Sequence, residues 1–198
     1  MQPETKQDRA TEEAKAALRL QIRDVLKKMT EAERIESSRQ ACARLEEQGV
    51  WKKAGAILFY APLTGELDIW RLVVDSLAAG KTVALPRFIA EQQVYEAWQI
   101  KEMDKDLWTG KFGVREPREH CQKIPLNRLD LVLVPGIAFD PRGGRLGRGR
   151  GFYDRLLAAV NGLKCGVAFD EQLVDAVPVG PMDVRLNCIL TPTRWIET

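Results

Sequence analysis

Between Asp8 and Lys28 the apolar residues Ala14, Leu18, Ile22 and Val25 recur at steps of four, four and three, the spacing of one helical face. At about 100° per residue, Lys15 falls inside that stripe beside Leu18, and Arg19 lies at its edge one turn on. Two cations therefore point toward the body of the protein. Stems packed on the core with heads in water account for this pattern, and so does an anion site. Thr30 followed by Glu33 forms a capping box, after which Ile35, Ser38, Cys42 and Leu45 hold one helical face as far as Gly49. Cys42 is placed in the core.

The rhythm then changes. Residues 56–60 are a continuous apolar run stopped by Pro62, read as a strand buried on both faces. Asp68 caps a helix carrying Ile69, Leu72, Val73, Ser76 and Leu77, Gly80 ends it, and residues 82–85, closed by Pro86, form a second strand. Residues 93–100 alternate and hold Val94, Tyr95 and Trp98, which predicts a strand, whereas residues 103–125 read mostly as loop. Residues 129–134, broken by Pro135 and Gly136, give the strongest strand pattern and are expected at the centre of a sheet. A helix over 152–160 and short strands over 165–169 and 187–190 complete the alternation. The expected fold is a three-layer, Rossmann-like α/β sandwich with a mostly parallel central sheet, preceded by a helical pair and spanning residues 1–198 as one domain.

Thirty Lys and Arg against 28 Asp and Glu leave a net charge of +2, too little for a protein that rides on a polynucleotide backbone, so any anion site is local. Cys42, Cys121, Cys165 and Cys188 form no C-x-x-C pair and predict neither a disulfide framework nor a zinc site. Met1 to Glu13 mix both charges without the apolar core of a signal peptide, and no apolar run reaches membrane-spanning length. A cytoplasmic monomer without a membrane or nucleic-acid partner is the expectation.

The candidate chemistry lies in residues 140–154, where Gly143, Gly144, Gly147, Gly149 and Gly151 interleave with Arg142, Arg145, Arg148 and Arg150. Glycines let a backbone turn its N–H groups onto one point, a following helix start adds partial positive charge, and arginines supply counter-charge, so the segment predicts a phosphate cradle. A solvated loop is the alternative. The spacing matches neither the G-x-x-x-x-G-K-[ST] nucleotide loop nor the dinucleotide G-x-G-x-x-G.

The run Val134-Pro-Gly-Ile-Ala-Phe-Asp140, followed by Arg145-Leu-Gly-Arg-Gly-Arg-Gly-Phe-Tyr-Asp-Arg155, closely resembles the signature of the 5-formyltetrahydrofolate cyclo-ligases. Lys15-Ala-Ala-Leu-Arg19 is similar to the family's amino-terminal K-x-x-L-R, whose cations contact ATP phosphates. Residues 60–66 resemble the segment whose glutamate, here Glu66, holds the folate, with Tyr60 beside it. Trp108, Gly110, Phe112, Gly113, Glu116 and Pro117 resemble the stretch that flanks the pterin, where a flat ring suits stacking and core packing equally.

The resemblance implies an enzyme that uses ATP and Mg2+ to close a reduced folate. ATP would be held by Lys15, Arg19, Arg145, Gly147, Arg148, Gly149, Arg150, Gly151, Phe152 and Tyr153, and the folate by Tyr60, Glu66, Trp108 and Tyr153. Arg148 and Tyr153 would act at the reacting centre, and Asp154 and Asp183 would hold Mg2+. Two positions depart from the family: Phe152 stands where tyrosine is usual, and Asn187 where a second aspartate is common. His120, the sole histidine, belongs to no family motif and is read as a solvated surface residue. The rival readings are a non-catalytic binder of a phosphorylated metabolite or RNA on the same fold, and an ATP-dependent enzyme with another flat acidic substrate.

Overall fold

The computed structural model describes residues 6–110 and 113–198. The chain runs through helices α1 (Lys6–Leu26), α2 (Glu31–Glu47) and α3 (Gly49–Lys53) into strand β1 (Ala56–Leu58), then α4 (Trp70–Ala78), β2 (Thr82–Ile89) and β3 (Val94–Ile100). The short elements α5 (Met103–Asp106), β4 (Leu107–Thr109), β5 (Arg115–Pro117) and β6 (Gln122–Ile124) follow. After β7 (Leu131–Pro135) come β8 (Ala138–Phe139), β9 (Arg145–Leu146), α6 (Phe152–Ala158), β10 (Leu163–Val167), β11 (Cys188–Leu190) and β12 (Trp195–Glu197).

Among the described residues, eight strands form one sheet in the order β12-β11-β10-β7-β1-β2-β3-β6. Its five central strands are parallel, while β12 pairs antiparallel with β11, β3 with β2 and β6 with β3. Alternate side chains serve opposite faces, as the two-residue period of a strand requires. Ile57, Val83, Leu131, Leu133 and Cys165 pack with Cys42 and Leu45 of α2 and Leu72 and Val73 of α4. Leu58, Ala84, Val132 and Val134 pack with Leu156 and Leu157 of α6. Helices on both faces of a largely parallel sheet make the three layers expected.

Several local readings change. On α1 the inward face is Lys15, Ile22 and the partly buried Leu18 and Leu26, with Ala14 exposed, because Lys15 finds a partner beneath it. The α2 capping box is formed, but Ile35 is exposed, since Arg34, whose guanidinium lies 5.6 Å above the Phe169 ring, continues the face of Ser38, Ala41, Cys42 and Leu45. Pro86 does not end β2. β1 pairs only as far as Ala84, so the missing proline N–H falls where no ladder partner on that side remains. Residues 103–125 hold α5 and three strands of three residues each, too short for alternation to register, and β12 is a further short strand absent from the sequence reading. None of the helices described is long and apolar enough to cross a membrane.

Candidate active site

β1 leads to β2 on one side of the sheet, while β7 and β10 lie on its other side, so the order reverses between β1 and β7. Open α/β sheets place ligands in the crevice beyond the carboxyl ends of strands at such a point. A cavity of about 530 Å³ occupies it, reached by Leu63 and Glu66 after β1, by Pro135 and Gly136 at the end of β7, and by Pro86 and Tyr95 of β2 and β3.

Its cationic wall is the glycine–arginine segment between β9 and α6. Asp140, which is buried, anchors the base of that segment by accepting the N–H groups of Arg142, Gly144 and Val177 at 2.8, 3.1 and 2.8 Å. Burial pushes the Asp140 carboxyl up, but these three bonds and the nearby Arg142 outweigh it and hold the group below its ordinary range. Gly149 and Gly151 have φ of 92° and 63°, a left-handed backbone that side chains disfavour. Gly147, Arg148, Arg150 and Phe152 line the cavity beside them.

Three ion pairs cross this space. Lys15, buried on α1, donates to Asp183 at 2.8 Å across 168 positions of sequence. Arg145, with its side chain 4% exposed, meets Asp154 at 2.9 Å, and its buried Nε has no hydrogen-bond partner among the described residues. Arg148 meets Glu66 at 2.8 Å. Arg19 reaches the same loop by donating from Nε to the Gly147 carbonyl at 3.0 Å. Asp183 also accepts the Gly180 N–H, and Val184, next in sequence, donates to Asp154 at 3.5 Å, so the two carboxylates belong to one wall. They are hard oxygen donors of the kind Mg2+ takes.

The other wall is aromatic and apolar. Tyr153 packs on Tyr95 with ring centroids 5.9 Å apart, and the Arg145 guanidinium lies 5.7 Å from its centroid. Burial and the negative charge of Glu66 push the Tyr153 phenol well above its ordinary value, so it stays a hydrogen-bond donor. Glu116 of β5 also lines this wall, although it is only 5% exposed, and burial pushes its carboxyl up. No ion pair within 4 Å joins it among the described residues. Sequence reading placed Glu116 in a motif without giving it a site role. Its adjacency to Pro117 says nothing of burial, which arises only when the β4–β5 hairpin folds over the cavity.

The cavity brings together every expected ATP, catalytic and metal residue: Lys15, Arg19, Arg145, Gly147, Arg148, Gly149, Arg150, Gly151, Phe152, Tyr153, Asp154 and Asp183, with Glu66 of the folate set. Tyr60 and Trp108 lie elsewhere. Tyr60 is fully enclosed and its hydroxyl donates to the Leu67 carbonyl at 2.7 Å, the partner a buried phenol requires, so it supports the Glu66 loop from beneath. Trp108, on β4 opposite Glu116, is 43% exposed and outside the lining. Phe112 of the same motif lies outside the described residues.

Residues 11–192 match the 5-formyltetrahydrofolate cyclo-ligase family. The chain belongs to that family. It is 32% identical over 183 residues to the 5-formyltetrahydrofolate cyclo-ligase of Escherichia coli K12, covering 89% of this chain and 99% of that one. It is 28% identical over 172 residues to the probable cyclo-ligase of Schizosaccharomyces pombe, covering 79% and 84%. Its fold is similar to that of Aquifex aeolicus 5,10-methenyltetrahydrofolate synthetase, with a TM-score of 0.83, 31% identity and 92% of each chain covered. Within this cyclo-ligase family the two departures now have places. Phe152 packs in a cluster with Phe88 and Tyr95, at 5.0 and 5.7 Å between centroids. Asn187 is outside the cavity lining and ties β10 to β11, its side-chain oxygen accepting the Lys164 N–H at 2.9 Å. The charge it lacks is therefore missing from the start of β11 and not from the wall of this cyclo-ligase cavity.

Proposed function

We propose that the protein closes 5-formyltetrahydrofolate to 5,10-methenyltetrahydrofolate at the expense of ATP, releasing ADP and phosphate. The observation that carries this reading is a single cavity with an arginine–glycine wall suited to phosphates and, facing it, an aromatic wall with carboxylates suited to a flat, nitrogen-rich ring. In the proposed reaction the formyl oxygen attacks the γ-phosphorus as the bond to ADP breaks. N10 of the folate then attacks the activated formyl carbon, loses its proton, and phosphate departs with the former formyl oxygen.

No protein nucleophile is needed, and the work left to the chain is positioning and charge neutralisation. Arg148, Arg150 and the N–H groups of the glycine loop hold phosphate oxygens, with Lys15 and Arg19 closing from α1. Mg2+, held by Asp154 and Asp183, supplies further neutralisation of phosphate charge. Glu66 orients the folate, and Tyr153, a neutral phenol at the junction, donates a hydrogen bond to the reacting end.

Mixing purified protein with 5-formyltetrahydrofolate, ATP and Mg2+ and following the near-ultraviolet absorbance of the methenyl product tests this. A rise that requires both ATP and Mg2+ is expected; no rise in folded protein that still binds ATP would sink it. RNA binding fits less well. Five basic lining residues (Lys15, Arg19, Arg145, Arg148 and Arg150) face five acidic ones (Glu12, Glu66, Glu116, Asp154 and Asp183), so the cavity is no cationic track for a polyanion.

A further inference from the structure

A second set of ligating atoms lies apart from the cavity, where the β4–β5 hairpin joins the sheet. Asp106, the last residue of α5, accepts the N–H groups of Lys101 and Glu102 on Oδ2 at 2.6 and 2.9 Å. Its Oδ1 lies 2.9 Å from Nε2 of His120, and its carbonyl oxygen lies 3.6 Å from Sγ of Cys121. A carboxylate oxygen, the imidazole nitrogen and the thiol sulfur all fall within 4.8 Å of one another. None of the three residues lines the cavity.

We propose that Asp106, His120 and Cys121 form a binding site for a borderline-soft divalent transition metal of the Zn2+ and Co2+ class. The donor set selects that class: sulfur and imidazole suit such ions, whereas Mg2+ and Ca2+ take oxygen alone. This ion is therefore chemically distinct from the one assigned to Asp154 and Asp183. The carboxylate is oriented as a metal ligand needs, since two backbone N–H groups fix one oxygen and direct the other at the imidazole. Access is open, with the His120 side chain 59% exposed and that of Asp106 13%. On binding, the ion takes Nε2 of a neutral imidazole whose proton sits on Nδ1, the thiol releases its proton to solvent, and water fills the fourth position.

The ligands come from the two ends of the segment that carries the hairpin. Asp106 and Cys121 bracket β4 and β5, whose base is otherwise closed by Arg118 donating to the Asp106 carbonyl at 2.7 Å and Cys121 to the Arg118 carbonyl at 3.1 Å. An ion here staples that base, and through it the strand that carries Glu116 into the cavity wall.

The sequence makes the test clean. His120 is the sole histidine, and Cys42, Cys165 and Cys188 are buried, so imidazole and thiolate signals report on this site. Untagged full-length protein titrated with Co2+ is expected to bind one equivalent with a near-ultraviolet thiolate-to-cobalt charge-transfer band, displaced by Zn2+ and not by Mg2+. Cys121→Ser should abolish the band, His120→Ala should weaken binding by more than about tenfold, and metal should slow amide exchange in β4 and β5. Both substitutions fall at half-buried or exposed side chains, and metal-free melting curves verify that each variant folds. Absence of the band with Co2+ in large excess, or its persistence in Cys121→Ser, overturns the proposal.

Discussion

Glu66 and Arg148 sit 82 positions apart in sequence, and each is occupied by the other in the structure described. In the function proposed, the carboxylate that orients the folate and a guanidinium that holds phosphate thus neutralise one another until ligands arrive. Glu66→Gln should therefore weaken folate binding but tighten binding of a non-hydrolysable ATP analogue by about two- to fivefold, the scale of a partly exposed ion pair. Calorimetric titration of the variant without folate checks it. Glu116 makes a second case, governed by pH. Its folded-state pKa is raised by burial, so the stability it contributes is present while it is protonated, below the ordinary value of 4.5, and is lost as pH rises through the folded value. Glu116→Gln should melt above the wild type at neutral pH, with the difference vanishing in acid. A gap in melting temperature that does not depend on pH would remove burial of its charge as the cause.

At the scale of elements, the glycine–arginine segment depends on one side chain. Asp140 gathers N–H groups from both ends of a tight turn and from Val177 in the segment between β10 and β11, so Asp140→Ala leaves three donors without their acceptor. A loss of about 2–4 kcal/mol in stability is expected, together with weaker nucleotide binding, measured by denaturant unfolding and ligand titration. The elements legible in the sequence each carry their own pattern: the α2 capping box, the apolar runs that include β1 and β7, and the alternation of β3. β4, β5, β6 and β12 were not. Short and without an apolar run of their own, they owe their existence to partners, β4 and β5 to each other, β6 to β3 and β12 to β11.

Over the whole molecule, the cavity is assembled from α1, the loop after β1, the hairpin, the glycine loop and the segment holding Asp183. Arg19 is the clearest instance, since it crosses from the first helix to bond the Gly147 carbonyl. Arg19→Ala should raise the KM for ATP by about tenfold with little change in melting temperature, because the bond joins two surface elements and not the core. An unchanged KM would show that α1 only covers the site.

The sequence by itself determined the layered α/β plan, the glycine–arginine loop, the inward direction of Lys15 and Arg19 and the family. These rest on local rules: side-chain periodicity, capping, turn residues and a contiguous motif. The tertiary structure alone decided that Glu116 is a buried wall carboxylate, that Tyr60 supports a loop and Trp108 stands outside the lining, and that Asp106 meets His120 and Cys121. Each of those facts depends on which distant segments come within a few ångströms of each other. Burial and charge pairing are properties of that proximity, and no spacing along the chain encodes them.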